Sequence, residues 1–294
     1  MRLHYLALVS SEPDAACEVL GRNLALPRRD LDSVPAFTAG EVALLVVPPG
    51  HPLVGEEAKP GVHHAGFAVE RLEPPAGIPA ERIAGLDGRR ALRLERDAML
   101  GVRAVLTEPL EFAPPAPGLV ERIDHVGVAS TDVAEDEALY AGRLGFAVES
   151  RQTDMKVHTA IETFTSDKYG IVTHARKPEA AGGLRVCFVT VGDCEFEFLA
   201  NFDPRQGGSI EHGRAGSTRQ DQGAIARFVA SRGRGLHHVA LKVTDIGAAL
   251  SKLAAAGRPM IDAVGRPGSR RALIGFPHPR ALGGVLIHFV ERQG

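Results

Sequence analysis

Four histidines stand at matching places in short apolar segments of this chain, and imidazole is a common protein ligand for transition metals. They are His4, His64, His125 and His238, within RLHYLALVS, GVHHAGFAVE, RIDHVGVAST and GLHHVALKVTD. A segment that recurs in this way indicates one supersecondary unit used four times. A metal site is the purpose we expect for it.

The repetition extends beyond the histidines. Residues 39–42 resemble residues 191–194, and Arg-Arg-Ala-Leu occurs at both 89–92 and 270–273. If His4 is equated with His125 and His64 with His238, the ends of the units match as well. Leu45 then corresponds to Glu197, and Val105 corresponds to His288.

Each unit is predicted to contain a strand, a short helix and three further strands. Thr131-Asp132 and Thr244-Asp245 are typical helix starts, and Gly145 and Gly257 are typical helix ends. The segments after the helices read as strands. We predict that residues 153–182 are an inserted loop that contains a small amount of local structure, and that 203–222 are a second loop.

A proline-rich linker at 113–118 divides the chain into two predicted domains. Residues 1–118 hold the first two units, and residues 119–294 hold the last two. An apolar content of 44% supplies enough material for a core in each domain. The predicted fold class is therefore α+β, with four βαβββ units in two tandem domains.

Composition excludes several classes of function. A net charge of −2 and the absence of tryptophan argue against a nucleic-acid partner. The longest apolar runs have the length of strands, so we expect no membrane association. Cys17, Cys187 and Cys194 are an odd, unclustered set, which favours a reducing compartment over a disulfide framework. These features predict a cytoplasmic protein.

The chain resembles the vicinal oxygen chelate superfamily, which contains glyoxalases, bleomycin-resistance proteins and dioxygenases. Three motifs carry the resemblance, and within the superfamily they are most similar to methylmalonyl-CoA epimerases. They are residues 123–127 (IDHVG), residues 235–240 (GLHHVA) and residues 276–287 (FPHPRALGGVLI). The resemblance implies that each domain forms an eight-stranded, cup-like mixed sheet. It also implies a small-molecule substrate, and a homodimer is a further expectation.

By this resemblance, one divalent metal is bound by His125, Glu197, His238 and His288. Three imidazoles and one carboxylate suit Zn, Ni, Co, Fe or Mn better than Mg or Ca. His288 is a departure, because the superfamily usually has Glu at this position. We expect His237 on the opposite face of its strand from His238.

The first domain has Leu45 and Val105 at the corresponding last-strand positions. It is therefore predicted to be a degenerate, metal-free copy in which His4 and His64 have structural roles.

The resemblance implies a metal-assisted abstraction of a proton next to a carbonyl, as in an epimerase, isomerase or glyoxalase-like lyase. Glu197 and Glu195 share one strand face and are the catalytic candidates. Arg270, Arg271 and His278 are candidates for binding an acidic or acyl-CoA substrate. Two alternatives stay open: an Fe(II)-dependent ring-cleaving or 2-oxo-acid dioxygenase, and a metal-free binding protein of the antibiotic-resistance type.

Overall fold

Two eight-stranded mixed sheets dominate the computed structural model, which describes residues 1–202 and 223–293. They are called here the first sheet and the second sheet. This architecture confirms the predicted α+β class with two cup-like sheets. The loop predicted at 203–222 lies outside the described residues.

The first sheet has the strand order β2-β3-β4-β1-β5-β8-β7-β6. Its strands are β1 (Arg2–Val9), β2 (Arg28–Leu31), β3 (Val34–Ala39), β4 (Val42–Val47), β5 (Gly61–Ala68), β6 (Ala80–Ala84), β7 (Arg90–Leu94) and β8 (Ala104–Thr107). The central strands β1 and β5 are antiparallel, and each lies parallel to the last strand of its own unit. The two units are thus joined through their first strands.

The second sheet repeats this plan with the order β10-β13-β14-β9-β15-β18-β17-β16. Its strands are β9 (Val120–Ser130), β10 (Ala147–His158), β13 (Glu179–Thr190), β14 (Glu195–Phe202), β15 (Gly235–Val243), β16 (Arg266–Pro267), β17 (Ala272–Gly275) and β18 (Ile287–Arg292). Strands β11 (Ile161–Ser166) and β12 (Gly170–Ala175) form a separate hairpin.

The described helices are short. They are α1 (Pro13–Cys17), which continues as a π-helical turn (Glu18–Asn23); α2 (Val133–Glu137), which continues likewise (Ala138–Arg143); α3 (Ala224–Arg232); α4 (Ile246–Ala255); and two 3₁₀ turns (Leu86–Gly88 and Pro279–Leu282). None of these helices has the length and hydropathy needed to cross a membrane.

The helix boundaries predicted for the third and fourth units are confirmed. The carboxylate of Asp132 accepts a hydrogen bond from the Ala134 N–H at 2.9 Å, and that of Asp245 accepts one from the Ala248 N–H at 2.8 Å. These contacts satisfy donors that the first helical turn leaves free. Gly145 and Gly257 have φ values of 77° and 72°, the left-handed conformation that follows a helix.

The second unit differs from the prediction because no helix connects β5 to β6. Pro74, Pro75 and Pro79 lie in this connection. Proline lacks the N–H that a helix requires and disfavours helical backbone in the residue before it.

Tyr140 from the third unit packs close to the first half of the chain, and its hydroxyl donates to the Met99 carbonyl at 3.1 Å.

The loop predicted at 153–182 is wrong, since most of this stretch is strand. Strands β10 and β13 have 12 residues each, and the β11–β12 hairpin turns at residues 167–169. The hairpin exposes apolar side chains on its surface, including Ile161 at 68% and Tyr169 at 74%. Alternation of polar and apolar residues cannot reveal strands whose two faces are both exposed.

One apolar core lies between the two sheets and contains residues from both. The rings of Phe67, from the first sheet, and Phe196, from the second, have centroids 5.9 Å apart. The backbone also connects the halves, because the Leu3 N–H donates to the Val191 carbonyl at 2.6 Å. Each half therefore covers apolar surface of the other. The domain division near 113–118 stays a prediction.

Candidate metal centre

Strand pairing brings together the four predicted metal ligands of the second sheet. Glu197 on β14 and His238 on β15 both pair with Gly127 on β9, from opposite sides. His125 pairs with Ala240, which in turn pairs with His288 on β18. The four side chains therefore come from neighbouring strands at the middle of the sheet.

The three imidazoles form a compact group. One ring nitrogen from each of His125, His238 and His288 lies within 4.8 Å of the other two. The Oε2 atom of Glu197 lies 3.4 Å from the Nε2 atoms of both His125 and His238. All four side chains are buried. Burial of so many polar groups is costly unless they are paired or coordinate a cation.

A glycine makes room for one of these rings. A Cβ atom placed on Gly127 would lie 2.0 Å from Cε1 of His238, a distance at which atoms cannot coexist. The His238 ring therefore lies across β9 where that strand has no side chain. The first sheet has a similar arrangement, since a Cβ on Gly66 would lie 2.0 Å from the ring of Tyr5.

Hydrogen bonds orient two of the imidazoles. Nδ1 of His125 is 2.8 Å from Oδ1 of Asp124, whose Oδ2 accepts from Nε of Arg292 at 3.0 Å. Nδ1 of His238 is 2.9 Å from Nδ1 of His237. Partners of this kind fix the tautomer and direction of a metal-binding imidazole.

β-bulges produce both contacts. The pairing of β9 with β15 shifts register at Asp124 and again at His237. Each bulge adds one residue and turns neighbouring side chains toward each other, instead of to opposite faces. His237 therefore contacts His238 directly, which differs from the expectation that it would be separated from the site on the opposite face.

The pKa shifts favour the protonation states that bind a metal. Burial lowers the pKa of His238 and holds that of His288 well below its ordinary value. Burial alone would raise the pKa of Glu197, but the nearby His125 and His238 bring it below its usual value. Neutral imidazoles and an ionised carboxylate are the forms that coordinate cations.

The donor set fits a divalent cation. Three imidazoles with one carboxylate are ligands preferred by borderline transition metals. Nδ1 of His288 is buried and has no hydrogen-bond partner among the residues that the structure describes. The chemistry of these side chains is therefore compatible with Zn, Ni, Co, Fe or Mn.

Two further buried or partly buried carboxyl groups, Glu195 and Asp154, belong to the same sheet. Burial raises the pKa of Glu195, although Arg270 opposes the shift from 3.8 Å away. Burial also raises the pKa of Asp154, and repulsion from Glu197 adds to this effect. The Gln152 amide donates to Asp154 at 2.9 Å. Sequence reasoning missed Asp154 because it lies in the stretch interpreted as a loop.

The three predicted substrate-binding residues lie in different surroundings. The Arg270 guanidinium lies 4.1 Å from the centre of the Phe188 ring, and that ring packs against His125. Arg271 is exposed. Nδ1 of His278 accepts from the Arg280 N–H at 3.2 Å and caps a 3₁₀ turn. Arg270 is therefore the member of this set that lies at the histidine group.

The first sheet corrects the register assumed for its first strand. Leu3 pairs with Phe67 and Tyr5 with Gly66, so His4 occupies the bulge position that Asp124 has in the second sheet. Tyr5, and not His4, is the structural equivalent of His125. The equating of His4 with His125 was therefore wrong by one residue.

The histidines of the first sheet have other partners. Nε2 of His4 accepts from the Leu110 N–H at 2.9 Å, and Nε2 of His64 is 3.3 Å from the Tyr5 hydroxyl. The positions equivalent to Glu197 and His288 hold Leu45 and Val105. These contacts are those of histidines that support a fold.

A family model described as the glyoxalase/bleomycin resistance protein/dioxygenase superfamily matches residues 124–276. The chain belongs to this superfamily. The matched range includes three of the four grouped residues, His125, Glu197 and His238. Members of the superfamily commonly use a divalent metal, which agrees with the histidine group found here.

Similar proteins cover either about 60% of this chain or all of it. The uncharacterized protein YqjC of Bacillus subtilis is 23% identical over 177 residues, which are 60% of this chain and 95% of that protein. A 4-hydroxymandelate synthase mutant from Streptomyces coelicolor has a TM-score of 0.63 at 15% identity and covers 100% of this chain and 93% of its own. Methylmalonyl-CoA epimerase from Mycobacterium tuberculosis has a TM-score of 0.42 at 23% identity, covering 62% and 94%.

Proposed function

We propose that this superfamily member is a metal-dependent enzyme that removes a proton from the carbon next to a carbonyl group. The reaction class is that of an epimerase, an isomerase or a glyoxalase-like lyase. The observation that carries the proposal is the buried His125–His238–His288 group with Glu197 against it, together with two carboxyl groups of raised pKa that interact electrostatically with His125 and Glu197.

In this proposal His125, His238, His288 and Glu197 hold one divalent cation. A bound cation would act as a Lewis acid on the substrate carbonyl and so acidify the neighbouring C–H. Residues 1–118 hold no metal, because Tyr5, Leu45 and Val105 stand at the equivalent positions. This half supports the active half through the shared core.

Glu195 and Asp154 are the residues that we assign to proton transfer. Glu197 is already engaged by two imidazoles, whereas Oε2 of Glu195 is buried without a hydrogen bond among the described residues. A carboxyl group with a raised pKa is a better base and acid near neutral pH. Two such groups on different strands would allow one to remove a proton and the other to return it.

Arg270 is the residue that we assign to substrate orientation. Its guanidinium lies between Glu149 and Glu195 and packs on Phe188, and its buried Nη1 has no hydrogen-bond partner in the described chain. Guanidinium groups bind carboxylates and phosphates in a defined direction. This favours an acyl-CoA or a 2-oxo acid as substrate.

Hydrogen exchange tests the reaction class. The metal-loaded protein would be incubated anaerobically in D₂O with a panel of 2-substituted acyl-CoAs and 2-oxo acids, and each product analysed by mass spectrometry. We expect deuterium on the carbon next to the carbonyl. Glu195→Gln and Asp154→Asn should each reduce the exchange, and for a chiral substrate each should affect one enantiomer more strongly.

The same samples test the second candidate, an Fe(II)-dependent dioxygenase. The observation in its favour is that His125, His238 and Glu197 form a two-histidine, one-carboxylate set. Turnover that requires Fe(II) and consumes O₂ in proportion to product would replace the proton-transfer proposal. Purified protein without bound metal, and with unchanged ligand binding after chelation, would instead support a metal-free binding protein.

A further inference from the structure

A cavity of 1080 Å³ lies on the half of the first sheet formed by β5 to β8. Its floor includes His63 and His64, and its far wall is the end of α3 and the start of β15, through Phe228 and Leu236. The volume is in the range of small-molecule sites in proteins. The cavity is therefore large enough for a ligand, and it is separate from the histidine group of the second sheet.

Arginine side chains give this cavity its chemistry. Arg93, Arg96 and Arg103 line it. Their charges act together on one residue, because burial and then these three guanidinium groups lower the pKa of His63 to about 4. An anion bound in the cavity would be attracted by all three of these cations.

Glu56, Glu57, Glu81 and Glu95 also line the cavity, and among the described residues only Glu81 forms an ion pair with one of these three arginines. Glu81 contacts Arg93 at 3.4 Å, but both side chains are more than half exposed, and such pairs contribute little. Glu95 accepts from the N–H groups of Asp97 and Ala98. The side chain of Arg103 has no hydrogen bond or ion pair with any residue in the described ranges, 1–202 and 223–293.

Arg96 contributes a further positive charge to the cavity, and its hydrogen-bond partners do not neutralise that charge. Its guanidinium donates to the Gly101 carbonyl at 3.1 Å and to the Arg234 carbonyl at 2.9 Å. Carbonyl groups hold the side chain in place but leave its charge intact. Arg96 is thus a fixed cation beside Arg103, and its presence lowers the pKa of Arg103 further than burial alone does.

The corresponding part of the second sheet is different. Arg93 pairs with Val105, which stands at the place of His288. In the second sheet the ring of Phe276 stacks on His288, with centroids 4.6 Å apart. In the first sheet Arg93 is thus next to Val105, whereas in the second sheet the Phe276 ring covers His288, a proposed metal ligand. The first sheet therefore carries a cationic side chain next to Val105, the residue that stands in place of His288.

We infer that this first-sheet cavity binds a small anion that carries a carboxylate or phosphate group, held by Arg103 and Arg93. Guanidinium groups pair with both kinds of anion through two parallel hydrogen bonds. His63, as a neutral imidazole, offers one more polar contact at the floor. Because Leu236 lines the wall and precedes His237 and His238, an occupant would contact the strand that carries a metal ligand.

Calorimetric titration of the full-length, metal-loaded protein tests this inference, with inorganic phosphate and succinate as separate probes. We expect one site per chain for at least one probe, which also tells phosphate from carboxylate recognition. Arg103→Gln and Arg93→Gln should each weaken binding about tenfold or more, the effect of losing a charged hydrogen bond. Arg82→Gln is the matched control, because Arg82 lies on β6 beside the cavity but does not line it.

The titration is repeated after chelation to separate this cavity from the metal centre. Binding that survives chelation and depends on Arg103 supports the inference. Binding that disappears with the metal and ignores Arg103→Gln would place the anion at the histidine group and overturn it. Absence of binding by both probes at millimolar concentration would also overturn it, provided that circular dichroism shows folded protein.

Discussion

Nδ1 of His125 lies 2.8 Å from Oδ1 of Asp124, the residue immediately before it in the same strand. Alternation along a regular strand would direct these side chains to opposite faces, and the β-bulge at Asp124 prevents this. Arg292 binds the same carboxylate, so Asp124 is held while it orients the imidazole. Its pKa is lowered accordingly, because His125 and Arg292 outweigh the effect of burial.

Replacing Asp124 with Asn should weaken metal binding by roughly 10–100-fold, the usual effect of losing a carboxylate that orients a ligand imidazole. Competition with a fluorescent chelator would measure the affinity. Glu121→Gln is the control, since Glu121 lies on the same strand and pairs with Lys242 away from the site. If Asp124→Asn and the native protein bound the metal with equal affinity, Asp124 would have no role in orienting His125 for the metal.

Gly127→Ala should disrupt the centre without removing any ligand. The added methyl would lie 2.0 Å from the His238 ring and force it away from Glu197. We expect loss of metal stoichiometry and a destabilisation of about 1–3 kcal/mol, as for other overpacked sites. Metal analysis and denaturant unfolding would measure the two effects. Gly142→Ala is a matched control, because no atom lies within 4 Å of its added Cβ.

Metal content should differ between variants of His238 and of His64, two histidines that follow equivalent β-bulges. His238→Ala should abolish stoichiometric binding, since it removes a proposed ligand. His64→Ala should leave it unchanged, because the imidazole of His64 contacts the Tyr5 hydroxyl and His63 instead of a group of further ligands. Mass spectrometry of the purified variants would measure this. Metal retained at full stoichiometry in His238→Ala would contradict the assignment.

His64 should make the protein less stable in acid. Burial lowers its pKa from 6.5 to about 3 in the folded state. Between pH 6.5 and about 3, His64 binds a proton in the unfolded chain but not in the folded chain. The free energy of unfolding therefore falls as the pH decreases. The contribution is about 1.4 kcal/mol per pH unit. Urea unfolding of chelated protein at pH 7 and pH 5 should show a smaller loss for His64→Gln than for His174→Gln on the exposed hairpin.

Phe196→Ala should destabilise both halves together. The Phe196 ring contacts Phe67 of the first sheet and Tyr140 of the second half. Truncation of a buried Phe costs about 3–5 kcal/mol. We expect one unfolding transition at a lower temperature in calorimetry. Phe164→Ala on the hairpin should change stability by less than about 0.5 kcal/mol. Two separate transitions would show that the halves are independent.

The second sheet could be predicted from the sequence, and so could the grouping of the four residues that we propose as metal ligands, because these residues are chemically distinctive. His125, Glu197, His238 and His288 recur at corresponding places in β strands, and their positions follow from strand order and pairing. The helix caps could be predicted for a similar reason. Asp132 and Asp245 act on backbone groups two or three residues away, so the sequence contains the whole interaction.

The misjudged features depend on contacts between distant residues. A bulge inserts a residue without any mark in the sequence, and so Tyr5 was not matched with His125. Asp154 approaches Glu197 only because β10 continues far past the point where its apolar pattern ends. The prolines between β5 and β6 disfavour a helix there. The helix was nevertheless predicted, because the other units of the repeat have helix signals at this place.

Gly66 and Gly127 each lie under a ring, but they are not at equivalent positions. Gly66 is on β5, the second central strand of the first sheet, whereas Gly127 is on β9, the first central strand of the second sheet. Ala7 has the place of Gly127 in the first sheet, so its methyl group occupies the space that a His238-like ring would need. Grafting ligands at Tyr5, Leu45 and Val105 would thus leave the first half unable to coordinate a cation unless Ala7 also became Gly. The difference between the two halves therefore extends to a small residue outside the proposed ligand set, so exchanging the ligand side chains alone would not convert one half into the other.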